Sequence, residues 1–226
     1  MAELKPRYDF HSHTIFSDGV LLPAALIREA EVRGHKALAI TDHIDASNTE
    51  EVIASLVKFE KEMEGKLPLR FLPGVEISYV DPKYIPIFAK KARSLGAKVI
   101  VVHGESPVEP VYPGTDAISV QQKGLVDILA HPGFALTLED AQAAAKNGVF
   151  LEITSRRGHK EGNKHVAELA IKAGAKLLIN TDSHSENDLL TYDEAYKVAI
   201  EAGLTDEQAK IALYDNPLEL LNRIPQ

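Results

Sequence analysis

Asp9-Phe10-His11-Ser12-His13-Thr14-Ile15-Phe16-Ser17-Asp18-Gly19 carries two histidines one residue apart, just behind a short polar lead-in. Side chains at i and i+2 of a strand point to the same side. A strand from Arg7 to His13 therefore presents two imidazoles to one place. Asp18 follows in a Ser-Asp-Gly segment that reads as a turn. Two nitrogen donors and a carboxylate begin a metal site, and the fold is decided by whether later segments send further donors to meet them.

They do so at regular intervals. Short apolar runs alternate with longer amphipathic ones, and seven of the short runs read as strands: Arg7–His11, Lys36–Asp42, Leu69–Ile77, Lys98–His103, Val126–His131, Val149–Ile153 and Lys176–Asp182. The third is interrupted by Pro73 and Gly74. Between them fall helices: Pro23 to Gly34, Thr49 to about Glu64 behind Asn48 as N-cap, Lys83 to Leu95 with a broken start at Pro86, a short one near Asp116 to Lys123, Leu138 to Lys146, and Lys164 to Ala173. Two more, Tyr192 to Ala202 and Asp206 to Asn222, complete the chain and read as closing the barrel. The stretch Gly104–Gly114, with Pro107, Pro110 and Pro113, is a loop. No linker or composition shift divides residues 1–226, so they read as one α/β domain with a parallel sheet. Periodicity alone admits either a closed barrel or an open doubly wound sheet.

The polar residues separate these two. His11 and His13 end strand one, His43 ends strand two, Glu76 strand three, His103 strand four and His131 strand five, while Asp182 and His184 end strand seven; of the nine histidines only His35, His159 and His165 fall elsewhere. In a closed parallel barrel all strand C-termini meet on one face, whereas an open sheet spreads them along an edge. Donors drawn from six strands converge best in a barrel. Any single one of them is explained as a polar residue at a strand end, but six histidines and three carboxylates in the same relative place are not. Without cysteine, any metal is held by N and O donors, a set that suits Zn, Mn or Fe better than Mg.

Together His11-x-His13, Asp18, Thr41-Asp42-His43, Glu76, His103, His131 and Asp182-x-His184 resemble the PHP (polymerase and histidinol phosphatase) family, over about Tyr8 to His184. The resemblance implies a distorted (β/α)7 barrel and three divalent metal ions. Carried over by position, His11, His13, Glu76 and Asp182 hold the first, Glu76, His103 and His131 the second, and Asp18, His43 and His184 the third, with Glu76 bridging. Some family members have histidine at the position of Asp18. The chemistry implied is attack on a phosphoester by metal-activated hydroxide, foremost a phosphomonoesterase of histidinol-phosphatase type. Asp182 is a candidate catalytic acid as well as a ligand.

Beyond the ligands, the segment after strand six (Glu152, Thr154, Ser155, Arg156, Arg157, His159, Lys160) offers substrate contacts, with Arg156, Arg157 and His159 foremost, since arginine binds phosphate in bidentate fashion. Thr14, Ser78 and Ser183 adjoin ligands as supporting donors, and Glu105 and Tyr112 lie in the loop that covers the pocket. A formal charge of −8 opposes attraction to an extended phosphate backbone and fits a small phosphorylated substrate. A phosphodiesterase or nuclease acting on short oligonucleotides or nucleotides is the alternative, followed by a non-catalytic subunit like the PHP-like ribonuclease P proteins. No run of about 18 apolar residues indicates a membrane helix, and Met1–Lys5 lacks the apolar core of a signal peptide, which points to the cytoplasm.

Overall fold

A computed structural model describes residues 4–106 and 108–224. Met1–Glu3, read above as lacking a signal, and Pro107 of the loop lie outside them. Within this range the strands are β1 (Arg7–Asp9), β2 (His35–Ile40), β3 (His43–Ile44), β4 (Arg70–Ile77), β5 (Val99–His103), β6 (Ile128–Ala130), β7 (Phe150–Thr154) and β8 (Leu177–Asn180). The helices are α1 (Pro23–Val32), α2 (Thr49–Glu62), α3 (Ile85–Leu95), α4 (Thr115–Ser119), α5 (Leu138–Asn147), α6 (Asn163–Ala173), α7 (Tyr192–Glu201), α8 (Asp206–Lys210) and α9 (Asn216–Arg223). All strand pairs are parallel, in the order β1-β2-β4-β5-β6-β7-β8, with β3 also beside β4.

This is a nearly closed barrel of seven parallel strands, a distorted (β/α)7 barrel. The eighth strand is a continuation. Ile40 pairs with Pro73 and His43 with Glu76, the same offset, so β2 and β3 lie on one line whose ladder lapses at Thr41 and Asp42, opposite Gly74 and Val75. Pro73 and Gly74 do not break β4, because the carbonyl of Pro73 still accepts from Lys98 N at 2.7 Å. A Cβ on Gly74 would stand 2.8 Å from Thr41 Cγ2 and 2.9 Å from Val99 O, so only glycine lets the neighbouring strands approach.

Alternation along the strands separates two cores. Leu72, Val99, Val101, Ile128, Ala130, Phe150 and Leu178 fill the barrel with Tyr8 and Phe10, and Leu220, Leu221 and Ile224 of the C-terminal segment join them from its lower end. Phe71, Ile100, Val102, Leu129, Leu151 and Ile179 face outward to the helices. Closure between the first and last strands is made differently from the other joints. Phe10 N donates to Asn180 Oδ1 at 3.0 Å, His13 N to Ser183 O at 2.7 Å, and a lone bridge joins Ser12 and Ser183.

One capping expectation resolves otherwise. Asn48 makes no cap bond to α2; its Nδ2 donates to His43 O and its Oδ1 accepts from Asp45 N, fixing the turn below His43. The final helix is not continuous α-helix: a π-turn over Ile211–Asp215 separates α8 from α9, and Asn216 Nδ2 donates to Leu177 O.

Candidate metal centre

At the C-terminal rim of the barrel the strand-end donors converge. Donor atoms of His11, His13 and Glu76 lie within 4.8 Å of one another; so do those of Glu76, His103 and His131, those of His11, His131 and Asp182, and those of His13, Asp18, His43 and His184. All nine expected ligands are therefore brought together. The groups overlap more than the family assignment implies, since His13 also reaches the Asp18 group and His131 the Asp182 group.

Backbone strain helps to aim them. His131 (φ 25°) and Asp182 (φ 52°) adopt positive φ, uncommon for non-glycine residues and concentrated at functional sites. At His131 the reason is geometric. Ile128 and Ala130 point inward and Leu129 outward, so strict alternation would send His131 to the helices. A left-handed backbone instead turns it toward the centre. Tyr79 (φ 57°), past the end of β4, is the third such residue; its exposed ring lies 5.3 Å from that of His103.

The hydrogen bonds identify which ring nitrogen is free. His103 Nδ1 donates to Gly104 O at 3.0 Å and His184 Nδ1 to Asp182 O at 2.9 Å, because a carbonyl can only accept. Glu152 Oε2 accepts from Asn180 Nδ2 and lies 2.8 Å from His11 Nδ1, so the proton sits there too. Nε2 of each ring then faces the centre with its lone pair. There His11 Nε2 stands 3.3 Å from Glu76 Oε1 and His13 Nε2 3.1 Å from Asp182 Oδ1, yet His11 Nε2, His13 Nε2 and both oxygens of Glu76 are buried without a hydrogen-bond partner. Two donors on one ion with bonds of about 2.1 Å stand roughly 3.0–3.4 Å apart. Close but unbonded donors at that spacing fit a divalent cation.

Electrostatics agree. Burial opposes charge on His43, but Glu76 and Asp18 outweigh it and raise its pKa to about 10. Burial also opposes charge on His11, His103 and His184, which neighbouring carboxylates nevertheless raise. Burial and the adjacent His43 pull His13 down to about 4. Burial resists ionisation of Asp182, but His11, His13 and His131 hold it well below the usual range. In that ionised state the carboxylate of Asp182 offers only lone pairs. A site that draws protons onto its histidines lacks positive charge, which bound cations would supply.

The remaining expectations divide. Arg156 and His159 line the cleft over the centre, a cavity of about 310 Å³ shared with Ser17, Asp18, His43, Asn48, Tyr79, His103, Glu109, Asp182 and His184. Arg157 is exposed and does not line it. Glu152 is turned into the barrel beneath His11, and Thr154 is buried, its Oγ1 accepting from Arg156 N. Glu105 ties the loop base instead of facing the pocket, accepting from Gly114 N and Asp116 N. Ser78 Oγ lies 2.7 Å from His43 Nδ1; Thr14 donates to Asp42, as does Ser17 Oγ, which holds the turn bearing Asp18. Glu152 was legible in part, since it shares the inward phase of Phe150; Asp42 follows Leu38 and Ile40 on the outward phase and was not. Glu109 carried no sequence signal beyond an acidic residue in a proline-rich loop.

A family model described as PHP domain matches residues 9–112. An uncharacterized protein of Methanocaldococcus jannaschii is 47% identical over 219 residues, covering 96% of this chain and all of that one. A probable phosphatase of Shewanella piezotolerans is 31% identical over 96% of this chain and 90% of its own. Among solved structures, a chain of archaeal ribonuclease P with mature tRNA superposes with a TM-score of 0.71 at 16% identity, over 96% of this chain and 90% of that one. The chain belongs to the PHP domain family. Among the described residues no helix is long and apolar enough to cross a membrane.

Proposed function

We propose that this chain is a metal-dependent phosphoesterase that hydrolyses a small phosphomonoester, a reaction of histidinol-phosphatase type. The observation that carries the reading is the convergence of buried, unbonded donors from His11, His13 and Glu76 beneath an open cleft. His11, His13, Glu76 and Asp182, with His103, His131, Asp18, His43 and His184, would hold three divalent ions, Zn, Mn or Fe. When bound, such ions acidify water and draw charge from phosphoryl oxygens.

The chain's own groups do the rest. Arg156 reaches over the centre, with Nε 3.9 Å from Asp182 Oδ2 and its terminal nitrogen 3.7 Å from Asp188 Oδ2. Neither contact is a hydrogen bond, so the guanidinium remains free to grip an incoming phosphate. His159 lines the same cleft. A cavity of about 310 Å³ suits a small substrate, and the −8 charge disfavours a long polyanion. Incubating Mn-loaded protein with an aryl phosphate, its diester, histidinol phosphate and a short DNA strand tests this. Turnover of monoesters over the others, abolished by chelation and restored by Mn or Zn, is expected; metal-independent or absent monoester turnover sinks the reading.

The likeness to a ribonuclease P chain favours a second reading, a subunit that binds structured RNA in a larger assembly. Its signature is tight, salt-sensitive tRNA binding without turnover of any phosphoester in the same panel.

A further inference from the structure

The loop between β5 and α4 brings one carboxylate into the centre that none of the nine positions accounts for. Glu109 Oε2 lies 2.9 Å from His103 Nε2 and 3.4 Å from His159 Nε2. That oxygen is buried and has no hydrogen-bond partner among the described residues. His103 Nδ1 is committed to Gly104 O, so Nε2 and the carboxylate meet as two lone-pair donors. The spacing repeats the relation of His11 to Glu76 and of His13 to Asp182, where buried donors stand at 3.3 and 3.1 Å without bonding each other.

The loop is built to hold this position. Its base is cinched where Glu105 N donates to Asp116 Oδ1 at 2.8 Å and Gly114 N to Glu105 Oε1 at 2.8 Å. Beyond the base, Ser106 Oγ stands 3.2 Å from His159 Nδ1 and accepts from Val108 N. Glu109 O accepts from Val111 N. The loop is thus pinned to the β7–α6 segment through His159, with the Glu109 carboxylate turned inward.

We propose that Glu109 is a tenth ligand of the centre, carried on this loop to the subsite of His103, so that metal binding there fastens Glu109 and the loop that bears it to the centre. An ion pair with His103 alone is the competing explanation, and the test separates the two. Metal content and affinity of wild type, Glu109→Gln and His103→Ala are measured by elemental analysis and calorimetric titration with Mn²⁺, and hydrogen exchange of residues 104–114 is followed with and without Mn²⁺. The glutamine keeps the shape and a hydrogen-bonding oxygen but loses the anionic donor. One ion per chain weakened tenfold or more in Glu109→Gln is expected, the same ion that His103→Ala loses, with metal-dependent protection of the loop abolished. Wild-type stoichiometry, affinities within twofold and unchanged loop protection in Glu109→Gln would overturn the assignment. It rests on the metal reading of the site but not on phosphoester turnover: Glu109-dependent binding in a protein that hydrolyses nothing sinks only the proposed activity. A wild type that takes up no metal overturns both.

Discussion

Glu152 Oε2 sits 2.8 Å from His11 Nδ1, while His11 Nε2 turns toward Glu76 at 3.3 Å. One imidazole thus joins a buried carboxylate inside the barrel to the open centre. Carboxylates so placed fix a ligand's tautomer and raise its basicity, and losing them costs about 10–100-fold in metal affinity or activity. Glu152→Gln should weaken Mn²⁺ binding by roughly that factor with little change in melting temperature of the metal-free protein. Unaltered metal titration would show that the contact is only packing.

In sequence Asp18 sits in a turn; in space its Oδ2 is 3.1 Å from His184 Nε2 and its Oδ1 3.6 Å from His43 Nε2. Asp18→Ala is expected to lose one ion per chain while two remain, as read by elemental analysis after gel filtration. Retention of three ions would remove Asp18 from the ligand set.

Below the centre, His35 is buried with Nδ1 at Ala30 O and Nε2 4.0 Å from Asp9. Burial and nearby Arg7 lower its pKa to about 3. A depressed folded pKa means that the unfolded chain binds the extra proton first. The contribution of neutral His35 is therefore whole above about pH 6.5 and is lost as pH falls toward about 3. In chelator, wild type should lose stability between pH 6.5 and 4 more steeply than His35→Gln, by about 1 kcal/mol per pH unit. Parallel urea midpoints for the two proteins across that range would refute it.

Gly74 offers a purely steric test. A methyl there meets Thr41 Cγ2, Val99 O and Ile40 O at 2.8, 2.9 and 3.1 Å, and two of these are backbone oxygens of paired strands. Gly74→Ala should cost about 1–3 kcal/mol, seen as a lower urea midpoint. Because Glu76 follows two residues later on the same strand, metal affinity should fall with it.

The contrast between Glu76 and Glu109 shows what sequence can carry. Glu76 ends an apolar strand, and a strand's position is written in its alternation, so the residue's place on the barrel rim follows. Glu109 is set by the path of a proline-rich loop, which depends on contacts made by Glu105, Asp116 and His159 from three other segments. His131 lies between these cases. Its strand was legible, but the left-handed turn that reverses its side is a tertiary effect. Likewise Asn48 reads as a cap because amide side chains favour helix starts, and the turn below His43 claimed its amide instead. Arg157 differs from Arg156 by one residue, which on an irregular segment suffices to put one in the cleft and the other in solvent.

The seam between the first and last strands carries a further consequence. Phe10 meets Asn180 across some 170 residues of chain, through a side-chain amide and a lone bridge in place of a full ladder. His13 and Asp182, 3.1 Å apart, lie across that same line, so an ion shared by them would act as a clasp on the weakest joint of the ring. Holding the native state alone, it stabilises by mass action and locks the ends that find each other last. Catalysis and the integrity of the barrel would then depend on one and the same ion.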